Sequence, residues 1–353
     1  MEFGLSEEQT LLQDSVNRFL QDQVPLDTVR KIAAGDIDDS SVWQGLTELG
    51  IPGLLIPENL GGVGLGTMEA AIISELLGYN VTPSPFISSA VIAPTVLLSA
   101  NKREDLVSNI ASGTCRIGIA FGEAMASRND AGVSAANGKL NGTSIFVLDS
   151  NADHYLVAAN DKQLYLVNKD VLGRKNLTSI DKTRSTCELS FNDAEAELIS
   201  DDVSVFENAI DIGRIMLSAD SLGAGQNMID QAVTYAKGRE QFDRAIATFQ
   251  AVKHMCAEMA AGLEPCRSMV WYAAHAFDDL PNEARLTACH TKAHVSEVAT
   301  FVARTSTEVH GGMGFTDLVG LHYWFKRIGF NRQLLGSPEL LREQAARLQG
   351  LAA

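Results

Sequence analysis

The spacing of apolar residues changes twice along the chain, and this order limits the possible folds more than any other sequence feature. Up to about residue 112, and again from Ser204 almost to the C-terminus, apolar residues recur at helical spacing. Between these parts, runs such as KLNGTSIFVLDS and HYLVAAN are separated by Gly, Asn and Asp, which is typical of β-strands and turns. Because no βαβ repeat is visible, a dinucleotide site in this chain would not be of the Rossmann type.

The pattern predicts three parts in a chain that is long enough for more than one packed unit. They are an N-terminal helical domain over 1–112, a small β domain over 113–203 and a C-terminal helical bundle over 204–353. In the bundle, antiparallel long helices are expected at about 204–237, 248–277 and 282–310.

Charge and composition narrow the classes of partner. With 28 Lys and Arg against 44 Asp and Glu, the net charge of -16 argues against nucleic acid and anionic membranes. The N-terminus lacks a signal-peptide pattern, and the longest apolar run, SSAVIAPTVLLSA, is interrupted by Pro94. We therefore expect a cytoplasmic protein with reduced cysteines, since none forms a CxxC pair. His290 and His294 lack an HExxH pattern and are interpreted as a helix face rather than a metal site.

The stretch YAKGREQFDRAIATFQ carries the most specific chemistry. It predicts a helix ending near Arg239, an aromatic residue, Phe242, at a turn, and a second helix opened by Gln250. An arginine beside an aromatic ring at a helix junction suits a flat, negatively charged ligand such as a dinucleotide. The alternative is that Phe242 and Phe249 are packing residues and that Arg239 is a solvated helix end.

Three segments in this order resemble motifs of the acyl-CoA dehydrogenase family: LTELGIPGLLIPENLGGVGLGTMEAAIISELLG, the stretch around Arg239, and STEVHGGMGFT. The resemblance covers essentially the whole chain. It implies a mainly α fold with a central small β domain. In that fold an N-terminal helical domain precedes a β-barrel-like middle domain, and a C-terminal four-helix bundle follows.

The resemblance also implies FAD, lying between the β domain and the bundle and partly contacted by a neighbouring subunit. By this resemblance, Arg239 and Phe242 would contact the pyrophosphate and adenine half, with Gln250 nearby. Gly311 and Gly312 would let the backbone approach the ADP portion because they carry no side chain.

The chain departs from the family at several positions. Asp243 stands where the family has glycine and Glu308 where it has glutamine, and both add negative charge close to the expected phosphates. In the β domain, IAFGEAMASRNDAG replaces a longer loop resembling TEPxxGSD, of which Glu123 is kept. Phe146 takes the place of a Trp over the flavin, and Leu148 that of a Thr near its N5. The ring of Phe146 can still pack on a flat ligand, whereas Leu148 can offer only backbone hydrogen bonds.

The carboxylate that removes the α-proton in this family has no counterpart at either usual position. Leu335 matches one position and Gly213 the other. A base must be desolvated and within reach of the α-carbon. Asp220 lies two helical turns beyond Gly213 among apolar residues, which makes it the candidate base. The alternative is that Asp220 is a structural hydrogen-bond acceptor.

These features resemble one subunit of the heteromeric acyl-CoA dehydrogenases, in which two related chains form an α2β2 tetramer. The resemblance implies α,β-desaturation of an acyl-CoA thioester, with sterol or bile-acid side chains among the substrates of bacterial members. It also implies an electron-accepting flavoprotein as a further partner. Two alternatives stay open: a catalytically silent structural subunit, and a flavin enzyme of other chemistry, such as an enoyl-CoA reductase or an oxygenase.

Overall fold

The computed structural model describes residues 4–122 and 132–352, and it confirms the predicted order of helices, sheet and helices. The N-terminal part is helical, and α1 begins at a capping box in which Ser6 and Gln9 exchange hydrogen bonds. A π-helical segment, Phe86–Ile92, leads into the fifth helix. The helices are α1 (Glu7–Gln23), α2 (Leu26–Ala34), α3 (Ser40–Glu48), α4 (Thr67–Tyr79), α5 (Ala93–Ser99) and α6 (Glu104–Ala111).

The middle part forms one sheet, whose strands follow the predicted apolar runs. The strands are β1 (Ile117–Ala120), β2 (Gly132–Ala136), β3 (Lys139–Leu148), β4 (His154–Ala158), β5 (Leu164–Asn168), β6 (Gly173–Asn176), β7 (Thr186–Glu195) and β8 (Glu197–Ser200). Their order is β6-β7-β3-β1-β4-β5-β8, and β2 also pairs with β3. β1 and β4 are parallel, and the other described pairs are antiparallel.

The C-terminal part is a bundle whose three long helices lie within two residues of their predicted bounds. A short hairpin joins the first two of them. The elements are α7 (Val203–Gly238), β9 (Glu240–Gln241), β10 (Arg244–Ala245), α8 (Gln250–Asp279), α9 (Pro281–His310), α10 (His322–Gln333) and α11 (Pro338–Leu348).

Helix α7 is the centre of the molecule, because it packs against both α4 and the other bundle helices. Where α4 and α7 cross, a methyl group on Gly78 would overlap the carbonyl oxygen of Asp220. A methyl group on Gly223 would likewise overlap the carbonyl of Glu75. Glycine at both positions therefore lets the two backbones touch, and this contact fixes α7 to the N-terminal helices.

All five cysteines are free thiols, and four of them are buried. Burial raises the pKa of the Cys266 and Cys289 thiols to about 11, so both are protonated near neutral pH. Within the described residues, none of the helices combines the length and apolar character needed to cross a bilayer.

Candidate functional site

Arg239 marks the end of α7. Its backbone leaves the helix in an extended conformation, while its N–H still donates to the carbonyl of Tyr235 at 2.8 Å. Its own carbonyl accepts a hydrogen bond from the N–H of Ile246 at 2.8 Å, which closes the hairpin. The side chain is exposed, and among the described residues it has no hydrogen-bond or ion-pair partner. Arg239 is therefore a cation available to a ligand.

The turn of the hairpin holds Phe242 and Asp243 at positive φ of 53° and 61°. Phe242 is 86% exposed, and its ring meets that of Phe249 edge-on at 6.2 Å. The guanidinium of Arg244 lies 4.1 Å from the centre of the Phe249 ring, a cation–π contact that stiffens the hairpin. An exposed aromatic ring on an ordered turn is a suitable surface for stacking a base.

Gly311 and Gly312 follow the last residue of α9. Gly311 has φ +58°, and a methyl group on either glycine would meet no atom within 4 Å. His310, directly before them, stacks on Tyr235 with ring centres 4.6 Å apart, so this segment lies at the same end of the bundle as Arg239. Gln250, the exposed first residue of α8, is also at this end.

The structure thus brings together five of the predicted cofactor residues. We call this set the nucleotide end: Arg239, Phe242, Gln250, Gly311 and Gly312. An unpaired cation, an exposed ring and open backbone match the phosphates and adenine of the ADP portion of FAD. Glu308 is exposed as well, so its carboxylate is solvated rather than buried against that site.

Phe146 lies elsewhere, on β3. Its ring is 48% exposed, its backbone has φ +55°, and the ring contacts Phe330 of α10 edge-on at 6.5 Å. Leu148 is buried and carries no polar side-chain atom. Glu123, the kept residue of the shortened loop, lies outside the described residues. Of the predicted flavin contacts, this region therefore offers one accessible aromatic surface.

The two positions matched to the family's base are neighbours in space. A methyl group on Gly213 would lie 2.5 Å from Cδ1 of Leu335 and 3.0 Å from Cδ1 of Ile92. Leu335 is 5% exposed and Ile92 fully buried. This convergence supports both sequence matches. It also shows that apolar side chains fill the space where a base would act.

Two buried cations hold the turn that carries Leu335. Arg214 donates through Nε to the carbonyl of Leu335 at 3.0 Å, and Lys292 donates to the carbonyl of Asn331 at 2.7 Å. Burial lowers the pKa of Lys292 to about 7, and the nearby Arg214 and Arg332 add to this effect. The sequence did not single out Lys292, because a lysine at helical spacing is usually exposed.

A cleft of about 390 Å³ beside the N-terminal half of α7 is crossed by ion pairs. Asp211 pairs with Arg214 at 3.1 Å and with Arg285 at 3.0 Å. Arg285 also pairs with Glu207, which binds Lys162 of the β4–β5 loop at 3.2 Å. These contacts tie the sheet to α7 and α9 across the cleft.

Asp220 does not fit the predicted role of base. Its Oδ1 accepts a hydrogen bond from Asn331 at 2.6 Å, and its Oδ2 lies 3.1 Å from Arg327 Nη1 and 3.0 Å from Arg184 Nη2. Both carboxylate oxygens are therefore engaged by buried polar side chains, two of them guanidinium groups. Asp220 also lies about 10 Å along α7 from Gly213. Its contacts are the ones expected of the structural acceptor in the alternative interpretation.

The nucleotide end and the position matched to the family's base lie far apart in this chain. Gly213 is on α7 beside Leu335, and Arg239, the residue that follows α7, is 239 − 213 = 26 residues farther along the chain. At 1.5 Å per residue this is about 39 Å along the helix axis.

Comparison with known proteins gives consistent matches. The family models described as "Acyl-CoA dehydrogenase, N-terminal domain" and "Acyl-CoA dehydrogenase, C-terminal domain" match residues 6–114 and 203–349. The chain is 28% identical to acyl-CoA dehydrogenase IpdE2 of Mycobacterium tuberculosis, over 95% of this chain and 96% of that protein.

Two solved structures share the fold over nearly the whole chain. The Tcur3481-Tcur3483 steroid ACAD variant has a TM-score of 0.89 and 25% identity, covering 98% of each chain. The ChsE4-ChsE5 complex from Mycobacterium tuberculosis has a TM-score of 0.88 and 23% identity, covering 100% of each chain.

Proposed function

The chain belongs to the acyl-CoA dehydrogenase family, and we propose that it is one subunit of a heteromeric, FAD-dependent member. The observation that carries this proposal is that Leu335 and Ile92 leave no room for a base at Gly213, whereas the nucleotide end, about 39 Å away along α7, keeps an exposed arginine and an exposed ring. In this proposal the nucleotide end of one chain serves a flavin held by another chain. The paired chains of the Tcur3481-Tcur3483 and ChsE4-ChsE5 structures support a related chain as that partner.

In this proposal the nucleotide end binds the ADP portion of an FAD whose flavin ring lies in the partner. Arg239 binds the phosphates, Phe242 stacks on the adenine with Gln250 nearby, and Gly311 and Gly312 let the backbone approach. When bound, FAD supplies the acceptor for the hydride that leaves the β-carbon of the thioester. Phe146 lies on the sheet of this chain, so it would pack against the flavin ring of an FAD held in this chain rather than the FAD whose ADP portion the nucleotide end binds.

The base belongs to the partner in this proposal, because Gly213, Leu335 and Ile92 leave neither a carboxylate nor space at the position matched to the family's base. Asp220 is then a structural carboxylate. The substrate class is an acyl-CoA thioester, and the similarity to the Tcur3481-Tcur3483 steroid ACAD favours a sterol or bile-acid side chain. An electron-accepting flavoprotein would reoxidise the FAD.

The test is co-expression of this chain with a related acyl-CoA dehydrogenase chain from the same organism, followed by FAD quantification from the absorbance spectrum. Arg239→Ala should weaken FAD binding at least tenfold, because a phosphate contact from a charged group is worth about 1.5–3 kcal/mol. Arg347→Ala, at an exposed arginine on α11, is the matched control and should retain FAD. Unchanged FAD affinity in Arg239→Ala would refute the assignment of the nucleotide end.

A second candidate is a catalytically silent structural subunit, which the packed side chains at Gly213 and the ion pairs across the cleft favour. In that case this chain would stabilise its partner without contributing to the FAD. The Arg239→Ala variant separates the two candidates, since a purely structural subunit would leave FAD affinity and content unchanged.

A further inference from the structure

The stacked rings of Tyr235 and His310 join the last turns of α7 and α9. Their centres are 4.6 Å apart and their planes differ by 28°. The carbonyl of Tyr235 accepts the hydrogen bond that ends α7 at Arg239, and His310 directly precedes Gly311. Tyr235 therefore lies in the last turn before Arg239, and His310 lies in the last turn before Gly311 and Gly312.

Resting on the proposed function, we infer that Tyr235 and His310 are positioning residues, whose stack sets the spacing between Arg239 and the Gly311–Gly312 segment for a dinucleotide. Neither ring is required to touch the ligand. The stack acts through the backbone of Arg239 and of the Gly311–Gly312 segment, which contact the ligand.

The surroundings of His310 hold its ring in one orientation. The side chain is 3% exposed, and Nδ1 lies 2.8 Å from the carbonyl of Ser306, to which it donates in the tautomer with the proton on Nδ1. Burial lowers the pKa of His310, so the ring that stacks on Tyr235 is neutral. One turn earlier, Ser306 donates to the carbonyl of Met228 at 2.8 Å and joins the same two helices.

Both rings also form a wall of a cleft of about 450 Å³ at this end of the bundle. Asn227, Asp230 and Gln231 of α7 also line this cleft. The stack therefore lies at a surface that a ligand can approach, while the final turns of both helices, which would otherwise fray, are held by it.

The experiment compares variants that replace one aromatic ring by an aliphatic side chain with variants that keep an aromatic ring at the same position. Tyr235→Leu and His310→Leu remove the stack, whereas Tyr235→Phe and His310→Phe preserve it. The first readout is hydrogen exchange of the backbone amides in residues 240–245 and 311–315 of the full chain. The second is FAD affinity in the FAD-containing assembly, with Arg239→Ala as the reference.

We expect both Leu variants to exchange faster in the two segments and to bind FAD on the order of 3- to 10-fold more weakly, while the Phe variants stay close to wild type. Wild-type exchange and affinity in the Leu variants would overturn the inference. Unchanged affinity in the Leu variants would also overturn it if Arg239→Ala weakens FAD binding. If Arg239→Ala itself has no effect, the proposed nucleotide site fails, and the inference fails with it.

Discussion

At the residue scale, Asp220 is held by two arginines and an asparagine in the interior. Asp220→Asn keeps the shape of the side chain but removes the charge that balances Arg184 and Arg327. Breaking a buried ion pair from one side costs about 3–5 kcal/mol, so we expect the free energy of unfolding in urea to fall by that amount. Turnover per folded assembly should not change.

Asp230→Asn is the matched control, because this aspartate accepts its hydrogen bonds at the exposed surface and should change stability by less than about 1 kcal/mol. Normal stability of Asp220→Asn together with loss of turnover would instead identify Asp220 as the base.

Lys292 gives a pH-dependent prediction. Its pKa is about 7 in the folded chain, against 10.5 for an unperturbed lysine, so between these values the unfolded chain binds the additional proton. The unfolding free energy of the wild type minus that of Lys292→Met should therefore increase as the pH rises from about 7 to 10.5. The increase is at most about 1.4 kcal/mol per pH unit. Urea titrations at several pH values measure it.

Lys253→Met, at an exposed position of α8, is the control for these urea titrations. A flat difference for Lys292→Met would contradict a lowered pKa.

Single residues differed in how well the sequence predicted them. The helix end at Arg239 and the exposed turn at Phe242 were predictable because their motif is local and lies at a helix boundary. Asp220 was placed correctly on a buried helix, but its partners Arg184, Arg327 and Asn331 come from distant segments. Local patterns do not reveal such long-range pairs, so the sequence could not separate a base from a structural carboxylate.

At the element scale, the crossing of α4 and α7 depends on glycine. Replacing an exposed helical glycine by alanine usually stabilises a protein by about 0.5–1 kcal/mol. Gly78→Ala and Gly223→Ala should instead destabilise the chain by about 1–3 kcal/mol or more, because the methyl group meets backbone that cannot move alone. Urea denaturation of the variants measures this.

Gly329→Ala in α10 is the matched control, since its methyl group would meet nothing within 4 Å. It should be neutral or stabilising. Equal effects at Gly78 and Gly329 would contradict the close crossing.

The long helices were predictable because their apolar spacing persists over 30 residues or more. The short helix α2 was not predicted, since only one of its nine residues, Val29, is buried. The crossing at Gly78 and Gly223 also escaped prediction, because a glycine in a helix has the same appearance whether it is exposed or touches another backbone.

At the scale of the whole molecule, large apolar side chains are exposed around the nucleotide end and the segment after α9. Phe242, Phe315 and Leu318 are 86%, 82% and 81% exposed. Exposed apolar side chains of this size are typical of surfaces that bind another protein. Their position agrees with a nucleotide end that faces a second subunit.

The central claim is that this chain contributes one end of an FAD site whose other end belongs to a related chain. The most direct measurement is native mass spectrometry with FAD quantification, on this chain alone and after co-expression with the related chain. The account predicts an α2β2 assembly that holds FAD and oxidises acyl-CoA, and no turnover from this chain alone. A homotetramer of this chain with one FAD per subunit, reduced by an acyl-CoA, would contradict it.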